Sequence, residues 1–172
     1  VVAGTRHPVL IGEFELTLDD KKRLLVPAEI RRSIPPEYGE SFYLVMGTNR
    51  TPWFWPARFY EELVMQVPSE MIPGDDTLAF DQLVFGMAAR IECDKQGRVL
   101  VPERILKRAG IERDVTLVGV RDHLELWGRA AWEARRNELE SRAHEIYSRA
   151  RLARQNPGVP QPIAAVARPA GT

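Results

Sequence analysis

Polar and apolar side chains alternate through Glu13-Phe14-Glu15-Leu16-Thr17-Leu18, the period of a strand that turns one face toward a core. The alternation points Phe14, Leu16 and Leu18 inward. An Asp-containing turn follows, and Leu24-Leu25-Val26 reads as a short aliphatic strand ended by Pro27. Proline cannot donate to a ladder but suits the first turn of a helix, so Ala28–Ser33 reads as a short helix, closed by Pro35-Pro36. Farther on, Phe42-Tyr43-Leu44-Val45 reads as another strand.

The same order of elements recurs. Leu18-Asp19-Asp20-Lys21-Lys22-Arg23-Leu24-Leu25-Val26-Pro27 aligns without a gap on Cys93-Asp94-Lys95-Gln96-Gly97-Arg98-Val99-Leu100-Val101-Pro102. Ala28–Arg32 then matches Glu103–Lys107, and Phe42–Val45 matches Val115–Val118. Trp55-Pro56 parallels Trp127-Gly128, and Tyr60-Glu61 parallels Trp132-Glu133. An ordered series of this kind marks two copies of one supersecondary unit. In the second copy the helix falls at about Glu103–Ala109, with Gly110 as its C-cap.

Between the copies, Glu61 to Asp81 holds six acidic residues and no Lys or Arg. Pro68, Pro73 and Gly74 read as a loop, and Thr77–Ala88 as a connecting helix. After the second copy, Ala130–Gln155 is one long helical pattern in which Leu139, Ala143, Ile146 and Ala150 form a narrow apolar stripe. The expected division is therefore residues 10–63 and 88–133 for the two repeated units, 64–87 for an acidic linker and connecting helix, 134–155 for a C-terminal helix, and 156–172 for a disordered Pro- and Ala-bearing tail.

Composition narrows the function. Lys plus Arg and Asp plus Glu both total 24, giving zero formal charge, so any attraction to nucleic acid must come from local patches. Those patches exist: Asp19 to Arg32 carries Lys21, Lys22, Arg23, Arg31 and Arg32 against three acids, and Asp94 to Arg113 carries six basic residues against three. No apolar run reaches the roughly 18 residues of a membrane span. Val1–Leu10 lacks a signal-peptide pattern, so a cytoplasmic protein without a membrane partner is expected. A single cysteine excludes an internal disulfide, and three scattered histidines give no ligand cluster and have no evident partners.

The most informative feature is Asp-x-x-x-Arg, present as Asp19 to Arg23 and as Asp94 to Arg98. In a turn between two strands the carboxylate can hold the guanidinium in one orientation. A fixed Arg loses less freedom on engaging a phosphate or a base edge, and its planar fork donates two hydrogen bonds at once. Lys21, Lys22 and Lys95 add charge for a sugar-phosphate backbone, and paired strands can enter a major groove. The plain alternative is an ion pair that fastens a hairpin and contributes about 0 to 1 kcal/mol. Repetition of the pair, with a basic flank beside a wholly acidic middle, favours binding.

These residues also carry a resemblance. Gly12-Glu13-Phe14-Glu15 with Leu18 to Pro27, then Asp94 to Pro102, Trp55-Pro56 with Tyr60-Glu61, and Val118-Gly119-Val120 through Leu126-Trp127 to Trp132-Glu133 are similar to the MraZ family of bacterial transcriptional regulators. The resemblance spans about Leu10 to Glu140. It implies an α+β chain of two tandem swapped-hairpin units of the AbrB type, forming a pseudo-symmetric barrel-like body with a C-terminal helix. It further implies a nucleoid-associated regulator, a repressor of the division and cell-wall gene cluster, that assembles with itself into a ring and binds double-stranded DNA at repeated upstream elements.

On that resemblance Asp19, Arg23, Asp94 and Arg98 face DNA, the arginines as contacts and the aspartates as their orienters, with Lys21, Lys22, Lys95 and Gln96 flanking them on the same turns. Lys22 stands where the family usually has glycine, as Gly97 does in the second copy. A positive φ is strained for lysine, so the first turn is expected to differ in shape. The alternative within the same fold is a protein-interaction module such as an antitoxin, which predicts one hairpin unit followed by a disordered partner-binding tail.

Other residues read more plainly. Trp53, Phe54 and Trp55 suggest packing rather than a stacking platform for bases, because Trp127 occupies the matching place. Cys93 is expected as a small buried apolar residue, since Leu18 is its counterpart. Asp19 and Asp20 lie among cations and read as ionised and paired rather than catalytic. The chain contains no nucleophile elbow, phosphate-cradling Gly-Lys-Ser loop or paired-cysteine spacing. Neither an enzyme nor a cofactor is expected.

Overall fold

The computed structural model describes residues 7–155; the expected tail at 156–172 lies outside them. Two compact units divide the chain after Trp132. Among the described residues the first holds eight strands: β1 (Leu10–Thr17), β2 (Arg23–Leu25), β3 (Ser41–Met46), β4 (Pro52–Pro56), β5 (Ala89–Glu92), β6 (Arg98–Leu100), β7 (Asp114–Arg121) and β8 (Leu124–Gly128). Its helices are α1 (Ala28–Ser33), α2 (Ala57–Val64), α3 (Asp75–Asp81), α4 (Glu103–Ala109) and the start of α5 (Arg129–Ser141). The class is mixed α and β, with antiparallel sheets throughout.

Sequence repetition becomes interlocked pairing. One six-stranded sheet runs β1-β7-β8-β4-β3-β5, and β2 pairs with β6 in a separate ribbon. The first strand of each copy therefore pairs with the third strand of the other: β1 with β7, and β5 with β3. In the ribbon Leu24 lies opposite Val99, and at the sheet centre Trp53 lies opposite Glu125. Both pairs join aligned positions of the two copies, which is what an internal two-fold axis through the body requires. The large sheet is open, with β1 and β5 as its edges, so the barrel-like closure expected from the resemblance is not formed by these six strands.

The core lies between the large sheet and the ribbon with its two short helices. Leu24, Val26, Val99 and Val101 are fully covered and pack with Ile30 and Ile105 of α1 and α4 and with Phe42, Leu44, Phe54, Val115, Leu117, Leu124 and Leu126 of the sheet. Burying side chains of this size stabilises by about 1.5–3 kcal/mol each. Pro27 and Pro102 stand at the helix N-caps, where their carbonyls accept the first helical bonds from Arg31 and Leu106. Gly110 ends α4 in the left-handed region, the C-cap read from the sequence. The β1–β7 crossing depends on Gly119, where a Cβ would stand 2.7 Å from the Leu10 carbonyl.

Two elements differ from the sequence reading. The connecting helix begins earlier and changes pitch, with α3 giving way to a wider turn over Gln82–Gly86. The C-terminal pattern forms α5 and α6 (Ala143–Gln155) with a turn at Arg142 instead of one helix. In the second unit the expected stripe is only partly covered at Leu139 and Ala143, and Ile146 is exposed. Polar contacts dominate there: Arg142 bridges Glu138 and Glu145, each at 3.2 Å, while Arg135 and Arg149 add further pairs to the same two carboxylates. An exposed i,i+4 pair contributes only about 0.3–0.5 kcal/mol.

Candidate nucleic-acid interface

The turn that enters β2 and the turn that enters β6 are built alike. Asp19 Oδ1 accepts hydrogen bonds from the backbone N–H groups of Lys21 and Arg23, both at 2.9 Å, and Oδ2 accepts one from Arg23 Nε at 2.7 Å. Asp94 Oδ1 accepts from the N–H groups of Gln96 at 2.9 Å and Arg98 at 3.0 Å, and Oδ2 accepts from Arg98 Nε at 2.9 Å. Each turn is closed by the N–H of its fourth residue, Lys22 or Gly97, donating to the Asp carbonyl. One carboxylate thus orders the backbone and aims the guanidinium.

The electrostatics follow from this geometry. The Arg23 backbone N–H leads the contacts that hold the Asp19 carboxyl below its ordinary value of 3.8; slight burial opposes, and the Arg23 side chain and the Lys21 N–H reinforce. Asp94 is lowered in the same way by Arg98 and Gln96. Both aspartates are therefore ionised and paired at neutral pH. The guanidiniums remain accessible, at 30% and 28% side-chain exposure, so neither is sealed within the protein. Lys21, Lys22, Lys95 and Gln96 are exposed beside them.

Contrary to the expectation drawn from Lys22, the two turns share one shape. Lys22 has φ 60° and Gly97 has φ 77°, so the lysine adopts the left-handed conformation that glycine takes without strain. What differs is the surroundings. A Cβ on Gly97 would stand 2.7 Å from the Arg31 guanidinium, which lies over the second turn while Arg31 Nε donates to Val26 O at 3.3 Å. Arg31 of the first copy thus belongs to the turn of the second, a cation that sequence spacing did not assign there.

The ribbon sets the separation of the turns. Val26 N–H donates to Gly97 O at 2.9 Å, and Val101 N–H donates to Lys22 O at 3.0 Å. Each turn consequently sits at one end of the ribbon, close to the end of the other copy's strand. Lys22 to Val26 is four strand steps, roughly 13 Å at about 3.3 Å per residue. Arg23 faces Leu100 and Arg98 faces Leu25 across the ladder. Leu25 and Leu100 are exposed on the outer face and were not singled out from the sequence, because an apolar residue in a short strand signals a core position.

The remaining candidates are structural. Phe54 is fully buried. Trp53 and Trp55 both pack on the His123 ring at centroid separations of 4.5 Å. Trp55–Tyr60 and Trp127–Trp132 are matching aromatic pairs in the two copies. His123, which has no evident partner in the sequence, has Asp122 Oδ1 2.7 Å from Nδ1 and Glu125 Oε1 3.9 Å from Nε2. Cys93 is half-buried against the core, and burial pushes its thiol up to about 11, far from a reactive thiolate. Among the described residues no group of three His, Cys, Asp or Glu side chains could hold a metal ion, and no helix is long and apolar enough to cross a membrane.

The body offers the same steadied guanidinium twice, each beside exposed lysine. Comparison with known proteins gives the class of the chain. A family model described as "MraZ protein, putative antitoxin-like" matches residues 84–154. The protein named Transcriptional regulator MraZ from Clostridium tetani is 34% identical over 128 residues, 73% of this chain and 85% of the relative. Its namesakes from Lactiplantibacillus plantarum (34% over 125 residues, 73% and 86%) and Thermomicrobium roseum (32% over 141 residues, 82% and 96%) are similar over comparable spans. The chain belongs to the MraZ family, a family of transcriptional regulators and not of enzymes.

Proposed function

We propose that this protein is a sequence-specific DNA-binding regulator that engages repeated elements upstream of the genes it controls, as a homo-oligomeric repressor of the division and cell-wall gene cluster. The observation that carries the reading is the paired clamp: one carboxylate, three hydrogen bonds and one guanidinium, repeated with distances that agree within 0.2 Å. Asp19 and Asp94 orient; Arg23 and Arg98 contact phosphate and base; Lys21, Lys22, Lys95 and Gln96 hold the backbone. The crossed pairing of β1 with β7 and β5 with β3 supports reading the body as two swapped-hairpin units of the AbrB type.

Association into a ring multiplies the number of turns on one DNA and raises avidity through effective concentration. Edge strand β1 supports self-association, since Ile11 on it is 67% exposed and an apolar open edge invites pairing. Work at the chromosome then follows, which is nucleoid association. The family description favours a second reading, a protein-interaction module of the antitoxin kind. That reading requires a protein partner for activity, whereas the first requires only DNA.

Binding to duplex DNA carrying upstream repeats, measured across salt concentrations, separates them. Log affinity should fall with log salt at roughly −0.9 per phosphate contact. The double variant Arg23→Ala/Arg98→Ala should bind weakly with a flatter slope, and Arg23→Lys/Arg98→Lys should keep the slope but lose preference for the repeats. Equal affinity of the alanine double variant and the parent would overturn the assignment.

A further inference from the structure

We propose that Leu25 and Leu100 read sequence, by packing against thymine C5-methyl groups next to bases held by Arg98 and Arg23; the inference rests on the DNA-binding reading above. The ribbon has an inner and an outer face. Inward, Leu24 and Val99 are fully covered; outward, Leu25 is 50% exposed and Leu100 57%. Stability asks for apolar side chains only on the inner face of so short a ribbon, yet leucine occupies the aligned outer position in both copies. Of the residues the two copies share in this run, the aspartate and arginine form the clamp, the valine is buried and the proline caps the helix, which leaves the leucine as the one whose role must lie on the outer face itself.

The ladder supplies one. Bonds from Val26 to Gly97 and from Val101 to Lys22 bracket the ribbon, which makes Arg23–Leu100 and Leu25–Arg98 the non-hydrogen-bonded pairs, where facing side chains stand closest. Each leucine therefore lies beside a guanidinium that its own aspartate has already aimed. The major groove presents one apolar group, the thymine methyl, and a two-stranded ribbon fits that groove. A guanidinium donating to guanine O6 and N7 leaves its apolar neighbour over the adjoining base, where thymine is the one base that rewards it. The internal two-fold gives two such arginine–leucine pairs, pointing in opposite directions along the ribbon.

The test begins with a randomised duplex library selected on the full chain. The enriched duplex is then resynthesised with deoxyuridine in place of each thymine in turn, which removes a methyl and nothing else. Loss of a methyl contact should weaken binding by about fourfold per site, the equivalent of about 0.8 kcal/mol for a buried CH₂. Leu25→Ala/Leu100→Ala should bind the parent duplex more weakly and show no further loss with deoxyuridine. Wild-type protein that binds both duplexes equally overturns the role of the leucines while leaving DNA binding intact. Failure to enrich any duplex overturns the DNA-binding reading itself. A lower solution mass for the leucine double variant would assign these side chains to a contact between copies, and would also overturn the proposal.

Discussion

Lys22 is the one residue of the two turns whose chemistry works against its conformation. Its φ of 60° costs an L-residue about 1–2 kcal/mol, and replacing it with glycine gives back about 0.5–1 kcal/mol through greater freedom of the unfolded chain. Lys22→Gly should therefore raise unfolding stability by about 0.5–1 kcal/mol, read from the urea midpoint. Gly97→Lys should lower it, because Arg31 must also move. The aspartates make a second residue-scale prediction. Both are lowered in the folded protein from 3.8, so the stability their clamps contribute is present above pH 3.8 and lost as pH falls through their folded values. Amide shifts of Lys21, Arg23, Gln96 and Arg98 should move together in that acid window, and Asp19→Asn should abolish the change in the first turn only.

Elements inherit their roles from what covers them. β2 and β6 are three residues each, too short to hold by backbone bonds alone, and persist because Leu24 and Val99 close on the core from opposite copies. β8 and β4 meet over a different device, the His123 ring packed against both Trp53 and Trp55. Burial lowers the affinity of His123 for its proton, but the carboxylates of Glu125 and Asp122 outweigh it and raise the value above 6.5. A raised folded value means that this contribution is complete below pH 6.5 and disappears as pH climbs through the folded value. Urea midpoints should accordingly fall between pH 5.5 and pH 8.5, and His123→Phe should lessen the fall. A wild-type midpoint that rises over this range would contradict the assignment.

At the scale of the whole molecule the open sheet matters most. On the proposed self-association, an edge strand with Ile11 outward is the template for the second copy, and Ile11→Lys should then lower the solution mass while leaving the circular dichroism unchanged. An unaltered assembly would move the subunit contact elsewhere. Neutral total charge hides this design: cations gather at the two turns, while the acids of 61–81 lie between the copies in sequence.

How much of this was legible in the chain depends on distance along it. The clamp is local, its partners four positions apart, and Asp19–Arg23 and Asp94–Arg98 could be read from spacing alone; so could α1, α4 and the Gly110 cap. The break at Arg142 was not legible, because Ala130–Gln155 contains no Gly or Pro and nothing in the local pattern weakens the helix there. Nor was the outward leucine, since Leu24 and Leu25 are identical letters and only the ladder decides which faces the core.

The sequence by itself determined that there are two copies and that each carries a guanidinium tied to a carboxylate, because those bonds close within one turn. Tertiary structure alone decided that the copies exchange strands, that Arg31 lies over the other copy's turn, and that Leu100 stands beside Arg23. Such contacts join residues far apart in the chain, and only the burial of a shared core brings them together.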